Sequence, residues 1–163
     1  MPSGTGDFPG RGEGTAMTND KIKVSCPECG TTNNFPVGAE GRKVVCGRCK
    51  SPLQPPGTVL EPSSSRQAYN LAKNSSLPVL LDFYSTTCAP CRIMHPVLER
   101  LARRRAGELA VARIDVGKFP EIAQGFGISS VPTFVVVSKG LERGRTMGAM
   151  SEEDLALWAA SQS

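Results

Sequence analysis

The six cysteines of this chain form three C-x-x-C pairs, Cys26/Cys29, Cys46/Cys49 and Cys88/Cys91, and none is left over. Such a pair can supply half of a tetrahedral metal site or can cycle between dithiol and disulfide, and its surroundings decide which. The first two pairs sit in short knuckles, C-P-E-C-G and C-G-R-C-K, flanked by Gly, Lys and Arg. The third, C-A-P-C-R, directly follows the apolar run V-L-L-D-F-Y-S-T-T. One metal site and one redox site are therefore expected in the same chain.

The knuckles follow C-x2-C-x16-C-x2-C, within the spacing of a four-cysteine zinc site. Pro27 stiffens the first loop. Gly30 and Gly47 are expected to allow the tight turns that aim backbone N–H groups at the sulfurs. Iron shares this ligand set, and two disulfides are the remaining alternative, ill suited to a reducing compartment. A closed four-thiolate site leaves no open coordination position. One structural zinc held by Cys26, Cys29, Cys46 and Cys49 is thus expected to staple a segment too small to fold on apolar burial alone. No organic cofactor is expected.

The third pair opens a helix. A Cys at a helix N-terminus faces unsatisfied backbone N–H groups and the positive end of the dipole, which favours its thiolate. Cys88, at the mouth of the turn, is the expected nucleophile. Cys91, one turn in, is the expected resolving thiol, and Pro90 fits the first turn. His95, the only histidine, shares a helical face with both cysteines and reads as an ordinary helix residue beside Pro96.

The elements that must position these residues follow from periodicity. Residues 1–20 are Gly-, Pro-, Ser- and Thr-rich and read as a disordered tail in which Met17 offers a second translation start. Residues 21–53 hold the knuckles, and 54–57, Q-P-P-G, read as a stiff linker. From 58 to 163 strand and helix patterns alternate. A short strand is expected at 58–60, a helix from 62 to 73, and a strand buried on both faces at 79–84. A helix over 88–105, a strand at 109–115 and a short helix at 120–126 follow. Strands at 133–137 and 143–147 flank Ser138-Lys139-Gly140-Leu141 as a hairpin, and a last helix is capped at Ser151. The order β-α-β-α-β-α-β-β-α makes α/β the expected fold class, with a small N-terminal zinc ribbon ahead of it.

Nineteen basic residues face 15 acidic ones for a net charge of +4, and no basic run is interleaved with aromatics. Nucleic acid is accordingly not an expected partner. No stretch has the length of a membrane span, and the first residues lack the apolar core of a secretory signal, so a cytoplasmic protein without a membrane partner is expected.

The segment V-L-L-D-F-Y-S-T-T-C-A-P-C-R resembles the active-site strand and motif of the thioredoxin family. F-G-I-S-S-V-P-T-F resembles its Val-Pro-Thr segment, S-K-G its hairpin, and M-G-A-M-S the glycine-containing end of its last strand. With the double knuckle, the chain from about residue 21 is similar to the zinc-containing thioredoxin-2 class of bacteria. The resemblance implies a mixed sheet flanked by helices, and a protein-disulfide reductase acting on disulfide-containing proteins and regenerated by a thioredoxin reductase. It makes Asp82 the buried acid that serves Cys91, and Pro132 the cis-proline facing the disulfide. Val131 becomes the residue offering backbone groups to an extended substrate, and Gly148 the glycine leaving room for it. Thr87 and Ala89 stand where the family usually has Trp and Gly, and Tyr84 replaces another common Trp. A second reading, from the co-occurrence of zinc thiolates and a redox pair, is a redox-controlled zinc-binding chaperone or interaction module.

Overall fold

A computed structural model describes residues 21–163, and the expected disordered tail lies outside the described residues. The element order is β1 Lys21–Ser25, β2 Thr32–Pro36, α1 Ser65–Asn74, β3 Val79–Tyr84, α2 Ala89–Arg104, β4 Ala110–Asp115, α3 Pro120–Gly125, β5 Thr133–Ser138, β6 Leu141–Met147 and α4 Glu152–Gln162. Four strands form one mixed sheet in the order β4-β3-β5-β6, with β3 parallel to β4 and antiparallel to β5.

Alternation along the buried strands builds two cores. Val79, Leu81 and Phe83 of β3, with Ala112 and Ile114 of β4, meet Ala68 and Leu71 of α1 and Ile122 of α3. Leu80, Val111, Phe134 and Val136 meet Met94, Leu98 and Leu101 of α2 and Leu155 and Ala159 of α4. Because side chains alternate, Asp82 and Tyr84 belong to the Leu80 face, the face covered by α2. The register sets Asp82 opposite Arg113 and Tyr84 opposite Asp115.

Local chemistry sets the ends of the helices. Ser64 caps α1 by accepting from the Gln67 N–H at 3.1 Å, and Ser151 caps α4 by accepting from the Asp154 N–H at 3.1 Å. Glu152, in the first turn of α4, receives Arg100 at 2.6 Å and Arg104 at 2.9 Å from α2. The arginine run at the end of α2 thus partly serves to join two helices. The hairpin between β5 and β6 has two turn residues, Lys139 (φ 53°) and Gly140 (φ 78°). Both lie in the left-handed region, as a type I′ turn requires.

Two local expectations are corrected. The first strand, expected at 58–60, is a single bridge: Leu60 exchanges two hydrogen bonds with β4, through Val111 O and Arg113 N. Pro62, which has no N–H to give, stands two residues on and the pairing goes no further. The helix expected from residue 62 begins at Ser65 instead, after its Ser64 cap.

The ribbon segment is a β1–β2 hairpin carrying the first knuckle, followed by a second knuckle closed by the Val45–Pro52 bridge. Its buried apolar residues besides cysteine are only Val24, Phe35, Ala39 and Leu53. It is fastened to α1 and to the turn after it. Asn70 and Asn74 donate their side-chain amides to the carbonyls of Glu28 (3.1 Å) and Cys29 (2.9 Å). Gln67 donates to the Glu28 carboxylate at 2.7 Å, and Arg66 pairs with it at 3.1 Å. Ser25 and Ser75 share a buried hydroxyl contact of 2.6 Å, and Thr32 accepts from Ser76 N–H at 2.8 Å.

Candidate redox centre and metal centre

Cys88 is the N-cap of α2. It is half-buried, and its sulfur accepts from the Cys91 N–H at 3.2 Å. An acceptor at this position satisfies one of the N–H donors left open at the start of the helix. Cys91 is 1% exposed and forms a disulfide with Cys88. The two sulfurs therefore differ in access: one can be reached from outside and the other cannot.

The loop before β5 comes up to the pair. Val131–Pro132 is a cis peptide, Pro132 is buried, and the Val131 carbonyl lies 3.8 Å from the Cys88 sulfur. Gly148 donates its N–H to Pro132 O at 2.9 Å, which ties the end of β6 to the same loop. Its φ of 91° suits glycine, and a side chain there would meet no described atom within 4 Å. Val131, Pro132 and Gly148 are thus gathered at the edge of Cys88. Thr87 and Ala89, on either side of Cys88, are exposed, and Thr87 shares a 3.0 Å hydroxyl contact with Ser85. His95 is taken up elsewhere: its Nε2 lies 3.7 Å from Glu99 on the next turn of α2.

Asp82 is fully buried in β3. Burial pushes its carboxyl up to about 6, against the opposing pull of the Arg113 hydrogen bond and charge. Arg113 Nε donates to Asp82 Oδ2 at 3.1 Å, and the arginine is itself only 7% exposed. This partner was not singled out from the sequence. Its signal was present: Arg113 is the lone charge inside the apolar run A-V-A-R-I of β4, as Asp82 is inside V-L-L-D-F of β3.

The four knuckle cysteines converge. Their sulfurs all lie within 4.8 Å of one another, with Cys26–Cys49 at 3.6 Å and Cys29–Cys46 at 3.7 Å. A tetrahedral thiolate centre with bonds of about 2.3 Å has edges of about 3.8 Å, so the four are positioned to bind a metal ion. Each knuckle closes on itself in the same way. Gly30 N–H returns to Cys26 O (2.9 Å) and Lys50 N–H to Cys46 O (3.0 Å). Glu28 N–H and Arg48 N–H point at the Cys26 and Cys46 sulfurs, at 3.4 and 3.3 Å. Burial drives the Cys26 thiol up to about 12. Burial also opposes ionisation of Cys46, but the N–H groups of Cys49 and Arg48 and the Asn33 amide outweigh it and bring that thiol to about 6.

The turns themselves depart from expectation. Gly30 does take a left-handed φ of 81°, and a Cβ there would run into the Asn70 carbonyl of α1, so the glycine serves both the turn and the docking. In the second knuckle the left-handed residue is Lys50 (φ 67°), not Gly47. Lys50 is the residue after the second cysteine, as Gly30 is, and its ammonium reaches Gly47 O at 3.2 Å.

Comparison with known proteins agrees with this geometry. The family described as Thioredoxin matches residues 58–161. Thioredoxin C-3 of Corynebacterium nephridii is 31% identical over 141 residues, covering 85% of this chain and 94% of its own. That span exceeds what residues 58–163 can supply, so the similarity continues into the four-cysteine segment. Thioredoxin of Mycobacterium bovis is 42% identical over 82 residues, 50% of this chain and 71% of the relative. Among solved structures, a single-substitution mutant of the thioredoxin from Halobacterium salinarum superimposes with a TM-score of 0.60 at 30% identity, covering 66% of this chain and 92% of that one. Sheet order, cysteine pair and sequence relatives converge on one conclusion: the chain belongs to the thioredoxin family and is a thiol–disulfide oxidoreductase.

Proposed function

We propose that the chain is a protein-disulfide reductase whose working pair is Cys88 and Cys91 of the CAPC motif. The observation that carries this reading is the asymmetry of the pair at the start of α2, with Cys88 accessible and Cys91 buried. In the reduced protein the Cys88 thiolate attacks a substrate disulfide, forms a mixed disulfide and releases one substrate thiolate. Cys91 gives its proton to Asp82 and attacks the Cys88 sulfur. The mixed disulfide breaks, the second substrate sulfur leaves, and Cys88–Cys91 is closed. The substrate has gained two electrons, which a thioredoxin reductase restores to the pair.

Val131, Pro132 and Gly148 hold the substrate. The backbone of Val131 pairs with an extended segment carrying the disulfide, in the manner of an added strand. Thr87 and Ala89 stand exposed beside the nucleophile, so a hydroxyl and a methyl group shape the docking surface there.

Cys26, Cys29, Cys46 and Cys49 hold one zinc. The edge lengths of the sulfur cluster and the all-thiolate donor set support zinc there. When bound it supplies a closed structural centre without an open position. Residues 21–53 act as the ribbon, 54–57 as the linker and 58–163 as the catalytic domain. Disulfide reduction and free zinc thiolates both suit the reducing cytoplasm, the compartment this reading assigns. No helix among the described residues is long and apolar enough to cross a membrane.

Reduction of insulin disulfides by dithiothreitol-recycled protein is the direct assay. Cys88→Ser is expected to abolish turnover; a Cys88→Ser variant as active as the unmodified protein would remove the proposal.

A further inference from the structure

An arginine beside a carboxylate commonly grips both oxygens with two parallel N–H donors. The buried Arg113–Asp82 pair does otherwise. Only Nε donates, to Oδ2 at 3.1 Å, and Oδ1 has no hydrogen-bond partner among the described residues. The guanidinium is engaged on another side: its central carbon lies 3.8 Å from the centroid of the Tyr84 ring. Asp82 and Tyr84 share one face of β3, and Arg113 stands across from Asp82 on β4. Ring and carboxylate therefore flank the same cation.

The number of oxygens engaged matters chemically. A two-point grip stabilises the ionised carboxylate strongly and occupies both oxygens. A one-point contact keeps the cation close while leaving an oxygen able to accept a proton. Stacking over an aromatic face holds a guanidinium in one plane, and so biases which of these arrangements it adopts.

We propose that Tyr84 is a positioning residue for proton transfer at Asp82, acting through Arg113: its ring face fixes the guanidinium plane so that Nε alone reaches the carboxylate and Oδ1 stays free to take the proton. This rests on the reading of Asp82 as the acceptor of the Cys91 proton. As the Cys91 sulfur bonds to the Cys88 sulfur and the substrate sulfur leaves, the Cys91 proton passes to Oδ1 and later to solvent. A polar cavity of about 110 Å³, lined by Glu61, Tyr84, Arg113, Asp115 and Lys118 among others but not by Asp82, adjoins the guanidinium. It is roomy enough for water, which can satisfy the remaining guanidinium donors. The charged and titratable groups facing the pair are Tyr84, Glu61, Asp115 and Lys118 from the cavity side and, on the reading above, Cys91 from α2.

The test is the titration of the Asp82 carboxyl carbon, followed by NMR in the oxidised protein, where neither Cys88 nor Cys91 titrates. Tyr84→Leu frees the guanidinium to take both oxygens, and the midpoint is expected to fall by about one pH unit or more. Tyr84→Phe keeps the ring face and is expected to titrate as the unmodified protein does. Arg113→Lys replaces the fork by a point charge, so adding Tyr84→Leu to it is expected to change nothing further. A Tyr84→Leu midpoint that does not fall overturns the proposal, as does an equal fall in Tyr84→Phe or in the Arg113→Lys background. Should Tyr84→Leu fail to fold, Tyr84→Val, a better strand residue, takes its place. Turnover of Asp82→Asn in insulin reduction checks the parent reading separately. Loss of that reading leaves the titration result standing on its own.

Discussion

Asp82→Asn keeps the shape of a buried side chain and removes its charge, so the pH dependence of stability isolates what ionisation of this carboxyl does to the fold. Two effects oppose each other in β3. Burial disfavours the carboxylate, and the Arg113 hydrogen bond and charge favour it. Burial wins, and the carboxyl moves from its ordinary 3.8 to about 6. At about 1.4 kcal/mol per pH unit this amounts to about 3 kcal/mol. The sign follows from proton binding. The folded chain holds the proton more tightly than the unfolded chain, so protonated Asp82 adds stability. That contribution is complete below the unfolded value of 3.8 and is lost as pH rises through about 6. The Asn variant has no such loss. The stability of Asp82→Asn relative to the unmodified protein is therefore expected to rise by about 3 kcal/mol between about pH 3.5 and about pH 7. Any constant penalty from altering the Arg113 contact cancels in this difference. Urea unfolding of both oxidised proteins at steps of pH measures it. The emission of Trp158, the single tryptophan, which packs against the α2–α4 core, is the probe. A difference that stays level across the window would refute the argument. A difference that falls with pH would show that the Arg113 pair, not burial, dominates.

On the roles proposed above, Cys91→Ser leaves Cys88 without its resolving partner, so a mixed disulfide with insulin chains is expected to accumulate and to disappear on adding dithiothreitol; intact-mass measurement reads it, and absence of an adduct argues against the proposed order of attack. For the zinc-bound form proposed above, a chelator is expected to abolish amide-exchange protection in residues 21–53 while β3, β4 and β5 stay protected. The ribbon buries only four apolar residues besides its cysteines, and a structural zinc contributes about 10–16 kcal/mol to such modules. A ribbon still protected after metal loss would contradict the stapling role. Gly30→Ala must carry a side chain at φ 81° against the Asn70 carbonyl. It is expected to cost about 1–3 kcal/mol of ribbon stability, read as faster exchange at 21–36, with insulin reduction unchanged.

Most of the fold was legible because its elements carry strong periodic signals. The strands at Val79–Tyr84, Ala110–Asp115 and Thr133–Ser138 are apolar runs bounded by turns, and the caps at Ser64 and Ser151 are short-range chemistry. The misplaced features depend on longer-range facts. Residues 58–60 have strand composition, yet the proline that follows leaves only the Leu60 bridge. Gly47 was a reasonable candidate for the tight turn, but the knuckle repeats its geometry by position, and the left-handed residue is the one after the second cysteine, Lys50.

The spacing between the first two cysteine pairs, with the local flanks of all three, set the four knuckle cysteines apart from Cys88 and Cys91, because flanks and ligand type determine what a C-x-x-C can do. The placement of Cys88 at a helix start followed from the strand before it and Pro90 within it. Tertiary structure decided what no local pattern encodes. It set Arg113 across from Asp82 through parallel register, and laid the guanidinium on Tyr84. It also fastened the first knuckle to α1 through Asn70 and Asn74. These are contacts between residues about 30 to 45 positions apart. They exist only once the sheet order and the docking of the ribbon have brought distant segments within reach of a hydrogen bond.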